Sequence, residues 1–122
     1  MKYLIYSIIA LLTVIFSHLV QAEPWTKEQK QLAAISTTLH FIDWGQTRHI
    51  AKNPDRFYER SPLLPNHPSM GQVNRHFIIS GIIIASAAHF LPQYRSQLLK
   101  IHIGYQTINT VRNFHIGLKG DF

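Results

Sequence analysis

The chain has 122 residues and a mass of 14.1 kDa, which is enough for one small domain. It carries 12 Lys and Arg against 6 Asp and Glu, a formal charge of +6, and it has no cysteine, which excludes disulfide scaffolds, thiolate zinc sites and cysteine nucleophiles. Charged residues make up only 15% of the chain, against about 25% in an ordinary soluble domain. We therefore expect part of the protein to lie in apolar surroundings.

Residues 1–22 contain the three parts of a secretory signal peptide in order. Lys2 supplies the positive charge, residues 4–16 form an uncharged and mostly apolar run, and Val20 and Ala22 occupy positions −3 and −1 of a cleavage site. We expect export with cleavage after this segment, and an uncleaved membrane anchor is the alternative. The remaining chain is also basic but has no basic run, which favours membrane lipid over nucleic acid as a partner.

The first helix is predicted from about Thr26 to Asn53. Thr26 and Gln29 form a capping-box pattern at its start. Asn53 precedes Pro54, and the residue before a proline avoids helical geometry. The apolar residues between these ends recur at helical spacing: Leu32, Ile35, Leu39 and Ile42.

Residues 54–71 are predicted to form a Pro-rich loop between helices, because four prolines and a glycine disfavour regular structure there. A disordered segment rarely contains many large apolar side chains. This one contains four: Phe57, Tyr58, Leu63 and Leu64. We therefore expect an ordered loop that packs against the helices.

Residues 72–92 are predicted to form a membrane-spanning helix. Its uncharged part, residues 77–91, would be about 22 Å long, and snorkelling of Arg75 and Arg95 would extend it towards the roughly 30 Å of a hydrocarbon core. The buried central helix of a soluble bundle is the alternative. Small residues on one side of the helix offer a surface for self-association or for an envelope protein partner: Gly81, Ala85 and Ala88.

Residues 93–114 fit two patterns. The spacing of Leu98, Ile101 and Ile108 is helical, whereas alternation around Ile101 and Ile103 is typical of a strand. The last residues also alternate, and we expect a short extended C-terminal tail. Together the segments predict an all-α protein: a signal peptide followed by a single membrane-associated domain, residues 23–122, built as a small bundle of about three helices.

The most informative polar residues of the first helix are spaced 4, 3 and 4 apart, so that they share one face: Ser36, His40, Asp43 and Thr47. Apolar residues flank this face on both sides, and buried polar groups need partners. One interpretation is a hydrogen-bonded seam that fixes the register of the helices. The other is a metal or proton-transfer site, completed by Glu59, His67 or His89. His40, Asp43 and His89 are the metal-ligand candidates, but no recognisable ligand spacing exists, and we expect no cofactor.

The segments HFIDWGQTRHIAKNPDRFYERSPLL and HPSMGQVNRHF, with Leu91-Pro92 and Arg95 after them, resemble a group of small uncharacterised bacterial and phage membrane-associated proteins. That group has a D-W-x-Q-T helix and a Y-E-x-N-P-x-L-G loop. The resemblance covers nearly the whole chain after the leader and implies membrane association, but no activity. This chain departs from the pattern at Ser61, Pro65 and His76.

The resemblance also marks recurrent polar positions, which here are Asp43, Gln46, Thr47, Tyr58 and Glu59. We expect the loop to fold back so that Glu59 approaches the Asp43 end of the first helix, through Arg48 or Arg56. Asp43 and Glu59 would then act as one polar cluster.

The function expected from these observations is that of an exported small helical membrane protein with a structural or protein-interaction role in the cell envelope. We place it in the inner membrane or at its periplasmic face rather than in the outer membrane. The first alternative is a metal- or proton-dependent enzyme that uses His40, Asp43 and Glu59. The second is a soluble periplasmic binding module.

Overall fold

The computed structural model describes residues 23–118 and residue 120, and the expected signal peptide lies outside the described residues. The described chain is all-helical, which confirms the expected bundle of three helices, and the segment that fitted both helix and strand is a helix. Its elements are α1 (Lys27–Lys52), α2 (Met70–Phe90), a 3-10 turn (Pro92–Tyr94) and α3 (Arg95–His115).

Capping boxes begin α1 and α2. The Thr26 hydroxyl accepts from the Gln29 backbone N–H, and the Gln29 side chain accepts from the Thr26 N–H, each at 3.1 Å. Ser69 and Gln72 make the same reciprocal pair at 3.2 and 2.8 Å. Because this second box fixes the first turn, α2 begins at Met70 rather than at Gln72.

A tight turn ends α3. Gly117 adopts a φ of +85°, the left-handed region that glycine favours. The Leu118 N–H donates to the Asn113 carbonyl at 3.0 Å, and the Gly117 N–H donates to the Phe114 carbonyl at 3.0 Å, which is a Schellman motif. Leu118 is buried, so the C-terminal tail begins as a turn that packs on the bundle.

A sharp corner joins α2 to α3, and Arg95 holds it together. The two segments meet at 104°. The Arg95 side chain is 1% exposed and donates to the carbonyls of Ala88 at 2.6 Å and His89 at 3.0 Å, which would otherwise be unpaired at the end of α2. Its guanidinium also lies 4.4 Å above the Trp25 ring, a cation–π contact.

The loop between α1 and α2 is folded back on the helices, in agreement with the ordered loop expected there. The Glu59 N–H donates to the Asn66 carbonyl at 2.7 Å, which closes the loop on itself. Glu59 and Pro68 are buried. The loop therefore contributes a buried carboxylate to the bundle.

In the part of the chain that the structure describes, no helix taken alone has both the length and the hydropathy needed to cross a bilayer. This includes α2, which occupies the segment where we expected a membrane-spanning helix, residues 72–92. Only α2 together with Pro92–His115 meets both the length and the hydropathy criterion, and the two segments are bent by 104° relative to each other.

Polar side chains outnumber apolar ones in the interior of the bundle, and many large apolar side chains are exposed. Among the described residues, ten buried side chains are polar or charged, whereas six, apart from Pro68, are apolar. Conversely, the apolar residues that predicted the helices include Ile101 and Ile108, which are 71% and 68% exposed. Their segment is helical, which is one of the two patterns left open by the sequence, and the polar faces of α1 and α3 meet in the interior, where their side chains form hydrogen bonds.

Candidate functional site

The polar face of α1 is buried against the rest of the bundle. Its members are all 8% exposed or less: Ser36, His40, Asp43, Gln46 and Thr47. Most of their partners come from α3, about 65 to 70 residues further along the chain. The face therefore forms a polar seam between α1 and α3, and the name polar seam is kept for these five residues and their α3 partners.

Two histidines, His40 and His102, form the N-terminal part of the polar seam. The Gln106 Nε2 lies 3.2 Å from His40 Nδ1 and 3.3 Å from His102 Nε2. His40 Nε2 donates to the Phe77 carbonyl at 2.8 Å, and His102 Nδ1 donates to the Ser36 hydroxyl at 2.6 Å. Each ring thus uses one nitrogen as donor and the other to accept from Gln106. Burial, with a smaller contribution from the neighbouring His40, lowers the pKa of His102.

The helix α2 packs closely against the His40 ring at Gly81, which has no side chain. A Cβ added at Gly81 would lie 3.2 Å from His40 Nε2, so a larger residue there would press on the ring. Ala88 is buried within the chain. The three small residues expected to support self-association all line one apolar groove of about 590 Å³, whose walls come mainly from α1 and α2.

Amide side chains form the C-terminal part of the polar seam. Asn113 Nδ2 donates to Asp43 Oδ1 at 3.3 Å and to Gln46 Oε1 at 3.1 Å. Gln46 Nε2 donates to the Thr110 carbonyl at 3.4 Å, and the Thr47 hydroxyl donates to the Asp43 carbonyl at 2.9 Å. These bonds tie the C-terminal halves of α1 and α3 in one register.

Asp43 has a strongly perturbed acidity. Burial and, to a smaller extent, the nearby Glu59 carboxylate raise the pKa of Asp43 from 3.8 to about 7, although Arg112 and a hydrogen bond from Thr47 partly oppose them. Glu59 is held in place because its Oε1 accepts from the backbone N–H groups of Arg60 and Ser61, each at 2.8 Å. The loop thus places one carboxylate close enough to alter the proton affinity of another.

A cavity of about 230 Å³ lies beside these carboxylates, with walls from all three helices and the loop. Its polar lining includes Asp43, Glu59, His76, Gln106 and Arg112. Burial is the main cause that lowers the pKa of His76. His102, whose pKa is also lowered, lines the cavity as well. The cavity therefore combines acidic groups, one exposed cation and two histidines that are mainly uncharged at neutral pH.

Some of the residues selected from the sequence lie elsewhere. Tyr58 is half exposed, and its hydroxyl accepts from Arg60 Nη2 at 2.7 Å, outside the polar seam. His40 and His89 line the apolar groove, whereas Asp43 lines the cavity. Within the described residues, no group of three or more His, Cys, Asp or Glu side chains could hold a metal ion.

Sequence reasoning missed the half of the polar seam that α3 contributes. The signal was present, because the polar residues at 102, 106, 110 and 113 have spacings of 4, 4 and 3, which place them on one helical face. Sequence reasoning also missed Arg112 of α3, which acts on the pKa of Asp43. Arg48 donates to Asn74 Oδ1 at 2.7 Å, and the approach of Glu59 through Arg48 or Arg56 stays a prediction.

The fold and the site define a small three-helix bundle with a polar interior. No family model matches the chain, and no curated protein or solved structure proves similar to it. The resemblance to small membrane-associated proteins therefore stays a prediction, and function has to be argued from the geometry.

Proposed function

We propose that this chain is a membrane-associated protein of the cell envelope with a structural or protein-interaction role, and that one face of α2 inserts among lipid acyl chains. That face, here called the isoleucine face, consists of Ile78, Ile79, Ile82 and Ile83, each at least half exposed. The single observation that supports the proposal is the reversed distribution of polar and apolar side chains. Contiguous apolar surface of this kind usually marks a site that another apolar phase covers.

The sequence around the isoleucine face favours lipid over protein as the covering phase. Residues 76–94 contain no Asp, Glu, Lys or Arg. Arg75 precedes this stretch, and the exposed Tyr94 lies near its other end, where an amphipathic ring suits the headgroup region. Protein interfaces, by contrast, are usually bordered by a charged or polar rim.

The energy available from insertion is modest. Burying a half-exposed isoleucine recovers about 1 kcal/mol, so the isoleucine face supplies about 4 kcal/mol. That amount gives only reversible binding, comparable to a single short acyl anchor. Basic residues add roughly 1 kcal/mol each when they lie near an anionic surface. We therefore expect membranes rich in anionic lipid to be preferred.

Two measurements test the proposal. The full chain is expressed in a Gram-negative host, its membranes are washed in alkaline carbonate, and mass spectrometry shows whether residues 1–22 remain. The purified protein is then floated with phosphatidylglycerol-rich vesicles, as native protein and as the double variant Ile82→Ser/Ile83→Ser. The matched control is Ile101→Ser/Ile108→Ser, which removes equally exposed isoleucines from α3.

We expect the native protein and the α3 control to float and the α2 variant to remain in solution. Equal flotation of both variants would show that the isoleucine face is not the membrane contact. A native protein that fails to float but sediments as a dimer would show that a second copy covers this face.

A proton-dependent enzyme is the second candidate, and the pKa of about 7 at Asp43 is the observation that favours it. This candidate relies on Asp43 and Glu59, which line the cavity, whereas His40 is hydrogen-bonded to Gln106 and to the Phe77 carbonyl. Titration of the Asp43 carboxyl carbon by NMR decides whether this candidate stands. A midpoint near 4 removes its basis.

A further inference from the structure

A second cavity lies where α1 and α3 end, and basic side chains border it. It measures about 250 Å³ and is here called the arginine cavity, after Arg56 and Arg60 of the loop and Arg112 of α3. Glu59 is the acidic residue of its lining, so the lining has an excess of two positive charges. Positive charges gathered around one cavity repel one another, and an anion placed among them offsets this repulsion.

Two of the three guanidinium groups have no bonded partner within the residues that the structure describes. No carboxylate there lies within ion-pair distance of Arg56 or Arg112, and neither side chain donates a hydrogen bond. Glu59 is 7% exposed, and its Oε1 accepts from two backbone N–H groups of the loop, each at 2.8 Å. Arg112 influences the pKa of Asp43, but its N–H donors stay unused. The donors of Arg56 and Arg112 are therefore available to a ligand.

The third guanidinium group is oriented by Tyr58, which also lines the arginine cavity. Arg60 Nε and Nη2 donate to the Tyr58 hydroxyl oxygen at 3.2 and 2.7 Å, and the guanidinium carbon lies 5.2 Å from the centre of the ring. A phenol that accepts hydrogen bonds still has its own proton to donate. Tyr58 therefore offers a neutral donor beside a positive charge that it holds in place.

We propose that the arginine cavity binds a terminal phosphate group, which accepts from Arg56, Arg112 and the Tyr58 hydroxyl. A guanidinium group presents its N–H donors as a planar fork that matches phosphate oxygens. A terminal phosphate group has three acceptor oxygens and up to two negative charges, so it complements both these donors and the excess charge of the lining. The same lining would repel a cation, and an apolar ligand would leave its charge uncompensated.

Two sources carry this chemistry: a free phosphate, inorganic or on a small solute, and the headgroup of phosphatidic acid. Ile116 borders the arginine cavity and is 52% exposed, so a group can enter from solvent or from a headgroup layer. The site itself does not depend on insertion of the isoleucine face. For inorganic phosphate, a ligand of few atoms, we expect a dissociation constant in the high-micromolar to millimolar range.

The first experiment titrates the full chain with inorganic phosphate at pH 7.5, while sodium chloride is adjusted to keep the ionic strength constant. The side-chain amide signals of Asn113 and the backbone amide signal of Arg60, two residues that line the arginine cavity, are followed by NMR. We expect saturable shifts of these signals with phosphate. No saturable shift, or an equal shift when chloride alone is added, overturns the proposal.

Charge variants then test the assigned groups. Arg56→Gln and Arg112→Gln each remove an exposed charged donor and should weaken phosphate binding about fivefold or more. Arg75→Gln is the matched control, because Arg75 is an exposed arginine of α2 outside the arginine cavity, and it should change binding less than about twofold. Unchanged binding in both cavity variants, or equal weakening in the control, contradicts the assignment once circular dichroism has verified folding.

Vesicles distinguish the two sources. Binding is compared on phosphatidic acid and phosphatidylglycerol vesicles with the same content of anionic lipid. A preference for phosphatidic acid that disappears in Arg56→Gln but persists in Arg75→Gln supports the proposal with the lipid as source. Equal binding to both vesicles, or a preference that Arg56→Gln retains, supports it with a free phosphate as source when phosphate binding is saturable. Loss of flotation in the α2 variant tests membrane insertion separately, so the two proposals can fail independently.

Discussion

Replacing Asp43 by Asn should change how the stability of the protein depends on pH. In the folded protein, burial and the nearby Glu59 raise the pKa of Asp43 from 3.8 to about 7. Between these two values, the folded protein retains a proton that the unfolded chain releases. The stability contributed by the protonated carboxyl is therefore complete below about pH 4 and is lost as the pH rises towards 7.

The size of this loss follows from the shift. Each pKa unit corresponds to about 1.4 kcal/mol, so the shift at Asp43 corresponds to about 4 kcal/mol between pH 4 and pH 8. The lowered pKa values of His76 and His102 act in the opposite direction, because stability is lost as the pH falls below 6.5. The native profile therefore combines two opposing trends, and Asp43→Asn removes only one of them.

We expect Asp43→Asn to match the native protein near pH 4 and to be about 4 kcal/mol more stable at pH 8. The new amide oxygen can still accept from Asn113, so that hydrogen bond need not be lost. Urea unfolding followed by circular dichroism at pH 4, 6 and 8 measures the difference, with Asp55→Asn as an exposed control. A difference that does not change with pH would refute this account of Asp43.

Two further predictions concern the packing of α2. Arg95→Met should lower the free energy of unfolding by about 3 kcal/mol, because the carbonyls of Ala88 and His89 lose their donor. An unchanged melting temperature would contradict this role of Arg95. Gly81→Ala should cost about 1 to 2 kcal/mol, since the new Cβ would lie 3.2 Å from the His40 ring. Gly104→Ala is its control, because a Cβ added there would meet no atom within 4 Å other than its chain neighbours and the backbone of its own helix. Alanine should stabilise that helix by up to about 1 kcal/mol, measured by thermal denaturation. Equal tolerance of both glycine replacements would refute the close packing at His40.

The helices could be predicted from local sequence, because their signals are local. The capping box at Thr26 and the stop before Pro54 are read from a few adjacent residues, and both agree with the structure. Which face of each helix turns towards the interior could not be predicted in the same way. Ile35 belongs to a regular apolar stripe, yet it is about half exposed, because the neighbouring polar face of α1 is the one that packs against the polar face of α3.

The candidate site was predicted on α1, whereas the polar face of α3 could be recognised from its spacing but its pairing with α1 could not. Spacing alone places His40 and Asp43 on one face of a helix, and their apolar flanks indicate burial. Their partners Gln106 and Asn113 lie 66 and 70 residues away, and no local pattern specifies such a pairing. Tyr58 was included through the resemblance alone, and its neighbour Glu59 is the residue that the loop turns inward.

The low content of charged residues and the polar interior have a common physical explanation. In water, each hydrogen bond of the polar seam replaces bonds to solvent, so it contributes only about 1 kcal/mol to the stability of the fold. Exposed isoleucines contribute nothing to that stability. In apolar surroundings both features become favourable, because unpaired polar groups are costly there and an apolar exterior is required. The proposal that lipid covers the isoleucine face would therefore account both for the absence of charge in α2 after Arg75 and for the buried polar seam between α1 and α3.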